Sequence, residues 1–488
     1  MKYSVITLYV IIENLWDKEN SIVCLVEADE RRWEMAQAVT KEKSNEYLIY
    51  ENPVKALFIF AIPMIIGNVF QQIYNLADGV VVGNFVGENA LAAVGASGSL
   101  TQVFINIAVG AGVGASVLVS RYFGSREYAK MKSCISTSLL FFLGLSIVLA
   151  VIGIFSGRTI LTWLRTPEEV MDMAALYLKI YFIGFPFLFM YNILASIFNA
   201  VGNSKIPTIL LIISSILNIV LDVWFVAGLG MGVLGVALAT LIAQGISAVI
   251  SFLIFLKLIG AYKENFIFFN FTMLQKMLSL AVPSIIQQTT VSVGLMLVQS
   301  AVNAFGAQAL AGYSSAVKVE GIFAAIFTSI GNAASPFVSQ NLGAGKKERV
   351  QNGYHAALIL DLIFAVITFV LLVFFSKPIA ALFLTSSGTD MAFRVATGYM
   401  KCLGYFYILM GIKMATDGVL RGIGYMKIFM LANLVNLCIR VMVATICSPI
   451  YGVAFVWYAS PIGWLVNFVI SYSGYRRIRK REFRIGGM

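Results

Sequence analysis

The sequence predicts an all-α polytopic membrane protein, with twelve transmembrane helices in two six-helix bundles related by a pseudo-two-fold axis along the membrane normal. The first observation is composition: the 488 residues are 59% hydrophobic and only 12% charged, about half the charged fraction of a soluble chain. The second is that apolar residues form runs long enough to cross a bilayer, without the short alternating segments of a membrane barrel. The third is an internal repeat.

The first span begins after Asn52-Pro53, which combines an N-cap residue with a proline at the first helical position. Apolar runs separated by short polar segments then give the remaining spans. The predicted spans are residues 54–83, 90–120, 133–156, 170–199, 206–227, 232–258, 275–304, 308–340, 353–376, 391–420, 427–448 and 452–475.

Positive charge is distributed unevenly over the connecting loops. Loops after even-numbered spans carry thirteen Lys and Arg residues, whereas loops after odd-numbered spans carry three. Because such an excess marks the cytoplasmic side, we expect a multi-pass plasma-membrane protein with both termini in the cytoplasm. The formal net charge of +11 therefore reflects topology, and no nucleic-acid partner is expected.

The ends of the chain differ from its middle. The apolar stretch Tyr3–Ile12 is too short to cross a bilayer, and no signal peptide is expected because no small-residue cleavage site follows it. Met35 is an alternative start. The predicted divisions are a cytoplasmic N-terminal extension (1–51), an N-terminal six-helix bundle (52–260), a cytoplasmic linker (261–274), a C-terminal six-helix bundle (275–476) and a basic cytoplasmic tail (477–488).

The two halves of the chain resemble each other. Ala61-Ile62-Pro63 matches Ala281-Val282-Pro283, and the segment 119–124 (VSRYFG) matches 338–343 (VSQNLG) at nearly the same offset. Six spans per half is an even number, so both halves enter the membrane from the same side. Such a parallel repeat leaves a cleft between its halves, where alternating access can occur.

Polar residues within the apolar spans indicate a cation-coupling site. Asp78, Asn218, Asp222 and Thr240 reach similar depths in the outer half of the membrane, given a rise of about 1.5 Å per helical residue. A carboxylate at such depth almost always faces the bundle interior. Their oxygen atoms could bind Na⁺, or the two carboxyl groups could share a proton. The alternative is that each polar group separately bonds to the backbone.

The second half lacks this set, because Val298 and Ala444 stand where the repeat places Asp78 and Asp222. Arg440 and Glu320 fall near mid-membrane, where an arginine needs a partner. We therefore predict that they pair, either as a charge pair exchanged for a cationic substrate or as a static structural pair, with Lys318 nearby.

Two further groups of charged residues lie within the spans. Lys413, Asp417 and Arg421 follow one another at four-residue intervals near the cytoplasmic end of the tenth span, a spacing that favours a structural ion network. Asp361 in the ninth span has no assigned role. Gly110 and Gly114, with Gly112 between them, are typical of close helix packing.

Catalytic and nucleotide-driven functions are disfavoured. The sequence has no Gly-x4-Gly-Lys-Ser/Thr run for binding nucleotide phosphates, one histidine (His355), and five cysteines without metal or redox spacing. We expect no enzyme activity, no cofactor besides a coupling ion (Na⁺ or H⁺), and transport driven by an ion gradient.

With these residues identified, the chain resembles the multidrug and toxic compound extrusion (MATE) transporters over about residues 50–478. The most specific segments are PMIIGNVFQQIYNLADGVVVG in the first span, NxxxD at 218–222, FVSQNLGAGK in the eighth, and VLRGIG at 419–424. The resemblance implies that Asp78 is the cation-coupling acid, surrounded by Asn218, Asp222 and Thr240. It also implies export of drug-like or other organic, often cationic, compounds in exchange for Na⁺ or H⁺.

The predicted function is thus a secondary antiporter that acts as a monomer, with small organic substrates and the lipid bilayer as its partners. We expect aromatic and Met side chains to form the adaptable wall of the substrate cavity, with Gln287 and Gln288 of the seventh span near it. The alternative of a lipid-linked precursor flippase would need a basic cavity. An intramembrane enzyme and a receptor or scaffold are further alternatives.

Overall fold

Twelve long helices form the protein in a computed structural model that describes residues 46–384 and 389–482. Within these ranges there are no strands, and each of the twelve is long and apolar enough to cross a membrane. The predicted fold class is therefore confirmed. The helices are α1 (Pro53–Phe85), α2 (Glu88–Gly124), α3 (Tyr128–Trp163), α4 (Glu168–Ala200), α5 (Lys205–Val223), α6 (Gly232–Gly260), α7 (Phe271–Asn303), α8 (Ala307–Gly343), α9 (Lys347–Phe374), α10 (Asp390–Ile423), α11 (Met426–Met442) and α12 (Ala454–Glu482).

Several helices extend beyond the predicted spans, most clearly α3, α9 and α12. Their additional turns carry charged and polar residues, such as those at 128–132 and 476–482. Hydropathy detects only the part of a helix that matches the bilayer, so it leaves out helical turns that project past it. Helix α12 accordingly continues into the segment 477–482, which the sequence assigned to the basic tail.

The ends of α5 and α11 share an irregular geometry. A π-helical turn follows α5 at Trp224–Gly228, and another follows α11 at Val443–Cys447, before the short helix Ser448–Tyr451. Single π turns are rare inside helices and frequently occur near functional sites. Their presence at corresponding places in the two halves follows the internal repeat, and the first lies directly after Asp222.

The two lobes, α1–α6 and α7–α12, meet in symmetric pairs, in which α2 packs on α7 and α8 packs on α1. Gly110 and Gly114 lie directly against α7, because a Cβ at either position would overlap Ile285 or Ala281. The close packing predicted for these glycines is confirmed. Leaving out a side chain at such positions lets two helices approach through their backbones.

One end of the bundle, which we call the base, is formed where the even-numbered helices end and the odd-numbered helices begin. Here Ser339 Oγ donates to the Val117 carbonyl oxygen at 2.9 Å, and Gln340 Nε2 donates to that of Ala200 at 2.7 Å. The largest cluster of buried apolar side chains also runs through both lobes near the base. The base is therefore sealed by polar and apolar contacts between the lobes.

Residues 46–51 form part of this seal, although the sequence placed them in an N-terminal extension. The short helix Tyr47–Tyr50 buries Leu48 completely, and Asn341 Nδ2 donates to the Leu48 carbonyl oxygen at 3.0 Å. Glu46 pairs with Arg126 of the first lobe at 2.8 Å. The predictions for residues 1–45 and 483–488 lie outside the described residues, and the domain boundaries stay predictions.

Candidate functional site

The predicted polar cluster is assembled from α1, α5 and α6. The Tyr74 hydroxyl donates to Asn218 Oδ1, and Asn218 Nδ2 donates to Thr240 Oγ1 at 3.4 Å. Thr240 in turn donates to the Val236 carbonyl oxygen at 3.1 Å. The structure thus joins Asn218 and Thr240 directly, and it adds Tyr74, which the sequence analysis missed. Its position one helical turn before Asp78 was the available signal, because residues four apart share a helix face.

Asp78 and Asp222 lie side by side, with their carboxyl groups within hydrogen-bonding reach of each other. Asp222 is fully buried, and neither of its carboxyl oxygens has a hydrogen-bond donor among the described residues; the same holds for Asp78 Oδ1. A buried charge without a partner is very costly, so the Asp222 carboxylate needs either a proton shared with Asp78 or a bound cation. Asp222 is thus enclosed by protein, whereas Asp78 is partly exposed.

Two tyrosine hydroxyls lie within electrostatic range of this pair. Tyr74 from α1 and Tyr177 from α4 both lie near Asp78 and Asp222. Tyr177 was not predicted, because helical periodicity alone does not show which helix packs against which. The site therefore draws on four helices of the first lobe.

A cavity of about 500 Å³ lies directly beneath the cluster. Tyr74, Asn218 and Thr240 form part of its wall, whereas Asp78 and Asp222 are not among its lining residues. The two carboxyl groups therefore lie outside the cavity lining, near the hydrogen-bonded residues Tyr74, Asn218 and Thr240 that form this wall. A change of charge at the carboxyl groups can reach the cavity through this wall.

The lining of the cavity differs from the predicted aromatic and Met surface. Eleven of its lining residues are Asn or Gln, whereas Met64, Tyr74 and Tyr191 are its only Met or aromatic members among the described residues. Four of the amides, Asn68, Gln71, Gln72 and Asn75, come from α1; the others come from α2, α4, α5, α6, α7 and α8. The spacing of the four α1 amides over two helical turns places them on one face, which is a signal that the sequence analysis did not use.

The predicted partners Arg440 and Glu320 do face each other in the second lobe. Arg440 Nη2 lies 4.0 Å from Glu320 Oε1, and the Tyr399 hydroxyl donates to Glu320 Oε2 at 2.5 Å. Neither residue lines the cavity, nor does Gln287 or the exposed Lys318, so Gln288 is the one lining residue in this predicted group. The pairing is confirmed, and a role of the pair in the transport cycle stays a prediction.

The predicted ion network on α10 is present in part. Lys413 Nζ lies 3.1 Å from Asp417 Oδ2, and both side chains are buried. Asp417 also accepts hydrogen bonds from Asn433 and Ser471. Arg421, the third member, instead donates from Nη2 to another residue, Asn332, at 2.9 Å and lines the cavity.

Two six-helix lobes around a polar cavity, with two neighbouring carboxyl groups beside it, define a polytopic membrane transporter. The chain belongs to the MATE family: the MatE family model matches residues 63–224 and 283–446, one segment in each lobe. It is thus a membrane transporter of this family.

Two relatives come from Bacillus subtilis. The probable multidrug resistance protein YoeA is 28% identical over 470 residues, which cover 90% of this chain and 98% of YoeA. The probable multidrug resistance protein YpnP is 27% identical over 391 residues, covering 79% of this chain and 86% of YpnP. A solved structure of a MOP-superfamily transporter from Pyrococcus furiosus has the same fold, with a TM-score of 0.82 at 23% identity, covering 90% of this chain and 98% of that one.

Proposed function

We propose that the protein is a secondary antiporter that exports small organic compounds in exchange for a cation bound at Asp78 and Asp222. The observation that carries this proposal is that the fully buried Asp222 carboxyl group neighbours the partly buried one of Asp78, beside hydrogen-bonded residues that line the cavity. Binding of a cation there removes a costly pair of unpartnered charges. Loss of the cation restores these unpartnered charges. Movement of the cation down its gradient can therefore drive substrate export.

A proton fits the site better than Na⁺. A hydrogen bond between two carboxyl groups needs one proton and no other ligand, and the two groups already lie within reach of each other. A hard metal cation requires several oxygen ligands, but the Asn218 amide oxygen already accepts a hydrogen bond from Tyr74. We therefore propose H⁺ as the coupling ion, with Na⁺ as the competing case in the experiment below.

The sealed base is assigned to the cytoplasmic side by the charge bias of the loops. In this state the cavity releases substrate outward, and the base must open for loading from the cytoplasm. Protonation of the Asp78–Asp222 pair would favour release, because it alters the hydrogen bonds of Asn218 and Thr240, which form the shared wall.

One chain encloses the cavity, which supports a functional monomer. The flippase alternative gains little support, because Arg421 is the one charged lining residue among those described.

The test is flux into proteoliposomes that contain the purified protein, with Na⁺ and proton gradients imposed independently. We expect substrate movement to follow the proton gradient alone, and Asp78→Asn to abolish this dependence. Asp172→Asn is the matched control, because Asp172 is an exposed acid that pairs with Arg158. Flux that follows a Na⁺ gradient would contradict proton coupling, and flux that follows neither gradient would contradict antiport.

A further inference from the structure

The charge of the cavity wall is positive. No Asp or Glu occurs among the described residues that line the cavity, and Arg421 supplies its one charged side chain. The remaining polar lining consists of eleven amides together with hydroxyl groups. Such a surface offers many hydrogen bonds and one fixed positive charge.

Among the described residues Arg421 forms no direct ion pair, and its guanidinium lies over the Phe429 ring, 5.5 Å from the ring centroid. Its Nη2 donates to Asn332 Oδ1 at 2.9 Å, and its Nε has no hydrogen-bond partner among the described residues. The side chain is 9% exposed, so this guanidinium is largely withdrawn from water. Asp417 lies one turn away, but Lys413 already balances its charge at 3.1 Å.

Lys413, Asp417 and Arg421 together therefore leave one net positive charge at this end of α10. Asp417 is fully engaged, because Asn433 and Ser471 donate to its two oxygens at 3.0 and 2.8 Å. In a partly desolvated site a fixed charge acts far more strongly than in water. A positively charged substrate would lose hydration and gain no counter-charge from the wall, whereas an acidic substrate would supply the missing counter-charge.

We propose that the cavity binds polar organic anions, with a carboxylate or phosphate group seated on Arg421 and Asn332. This inference rests on the proposed export function and narrows its substrate class away from the cationic compounds implied by the family resemblance. Protonation of Asp78 and Asp222 would by charge alone favour an anion, so the proposed antiport requires the change in the hydrogen bonds of Asn218 and Thr240 to outweigh this attraction. The planar guanidinium matches the geometry of carboxylate and phosphate oxygens. The Asn332 amide oxygen accepts from Arg421, so its nitrogen is left to donate to the same anion. The amides of α1 then bond the uncharged body of the substrate.

The test compares dyes of similar shape and opposite charge. Binding of fluorescein and of the cationic ester rhodamine 6G to the purified full-length protein is measured by fluorescence anisotropy. A second pair, riboflavin and its phosphate ester, separates phosphate from carboxylate recognition. We expect fluorescein to bind more tightly than rhodamine 6G, and the phosphate ester more tightly than riboflavin. Tighter binding of rhodamine 6G, or equal binding within both pairs, would overturn the proposal.

Two variants test the assigned residues. Arg421→Gln removes the charge, and Asn332→Asp keeps the guanidinium but neutralises it with an adjacent carboxylate. Loss of a charge-assisted hydrogen bond predicts about tenfold weaker fluorescein binding in each, with rhodamine 6G unchanged or tighter. Lys427→Gln is the control, because it removes an exposed positive charge six residues further along. If Arg421→Gln fails to fold, the fluorescein affinity of Asn332→Asp is the deciding measurement. An affinity equal to that of wild type would contradict the proposal.

The same preparation separates this inference from the antiport proposal. Selective anion binding without gradient-driven flux would contradict antiport and support the anion site. Proton-driven flux of rhodamine 6G but not fluorescein would support antiport and contradict the anion site.

Discussion

Gly343 packs directly on the backbone carbonyl of Arg121 at the base of the bundle. The symmetric contact also exists, since Gly124 packs in the same way on the carbonyl of Gln340. The repeat relates Gly124 to Gly343 and Arg121 to Gln340, so the two contacts form one pseudo-two-fold seam between α2 and α8. No side chain fits in this seam, and opening the base requires the two helix ends to separate.

A methyl group in the seam should weaken the sealed base. A Cβ at position 343 would overlap the Arg121 carbonyl oxygen, and overpacking of this kind costs about 1–3 kcal/mol. In Gly343→Ala we therefore expect faster thiol labelling of a cysteine introduced as Ser339→Cys in a background without other cysteines. Gly144→Ala is the control, because nothing lies within 4 Å of a Cβ there. Equal labelling rates in the two variants would show that the seam does not hold the base closed.

The hydrogen bond from Tyr74 to Asn218 should tune coupling without being essential to it. Tyr74→Phe removes the donor but keeps the ring, and one hydrogen bond is worth about 1 kcal/mol, or about fivefold in affinity. We expect a shift of that size in the external proton concentration that half-saturates transport, with the maximal rate retained. Tyr405→Phe, at an exposed tyrosine, should leave the curve in place. If Tyr74→Phe half-saturates at the same proton concentration as wild type, the hydrogen bond from Tyr74 to Asn218 does not take part in coupling.

The buried pair Lys413–Asp417 should matter for stability. In Asp417→Asn the buried Lys413 loses its counter-charge, and breaking one side of a buried pair costs about 3–5 kcal/mol. Glu51→Gln breaks the exposed pair with Lys55 and should cost at most about 1 kcal/mol. Thermal unfolding in detergent measures both changes. Similar melting temperatures for the two variants would contradict the structural role of the α10 network.

Asp361 should be dispensable for coupling. It is completely buried on α9, and neither of its carboxyl oxygens has a partner among the described residues, so it is expected to carry a proton at all times. Asp361→Asn replaces a neutral acid with a neutral amide and should leave proton-driven flux unchanged, with a stability change of about 1 kcal/mol or less. Loss of proton dependence in this variant would reveal a second coupling site in the second lobe.

The sequence predicted the architecture well because apolar run length, loop charge and repeated motifs are properties of the chain itself. The Asp78 cluster was also predictable, since acids in apolar spans must face inward and helix rise gives their depth. Which helices pack together is a property of the fold, so Tyr177 and the role of Asn332 at Arg421 could not be derived. The amide face of α1 was visible in the spacing of Asn68 and Asn75.

The docking of residues 46–51 on the base was not visible in the same way. Leu48 and Ile49 form an apolar pair too short to register as a span, and they are buried where Asn341 and Arg349 bind the backbone of this segment. The contact joins residues almost 300 positions apart, and no pattern in the local sequence predicts contacts over such a distance.

The central claim is that cation binding at Asp78 and Asp222 opposes substrate binding in the cavity. Because linkage is reciprocal, substrate binding must then expel protons from the pair. The direct measurement is the pH change of a weakly buffered detergent solution when substrate is added to the purified protein. We predict acidification with wild type and none with Asp78→Asn or Asp222→Asn, under conditions where substrate still binds. Substrate binding to wild type without proton release, or undiminished release from both variants, would contradict the claim.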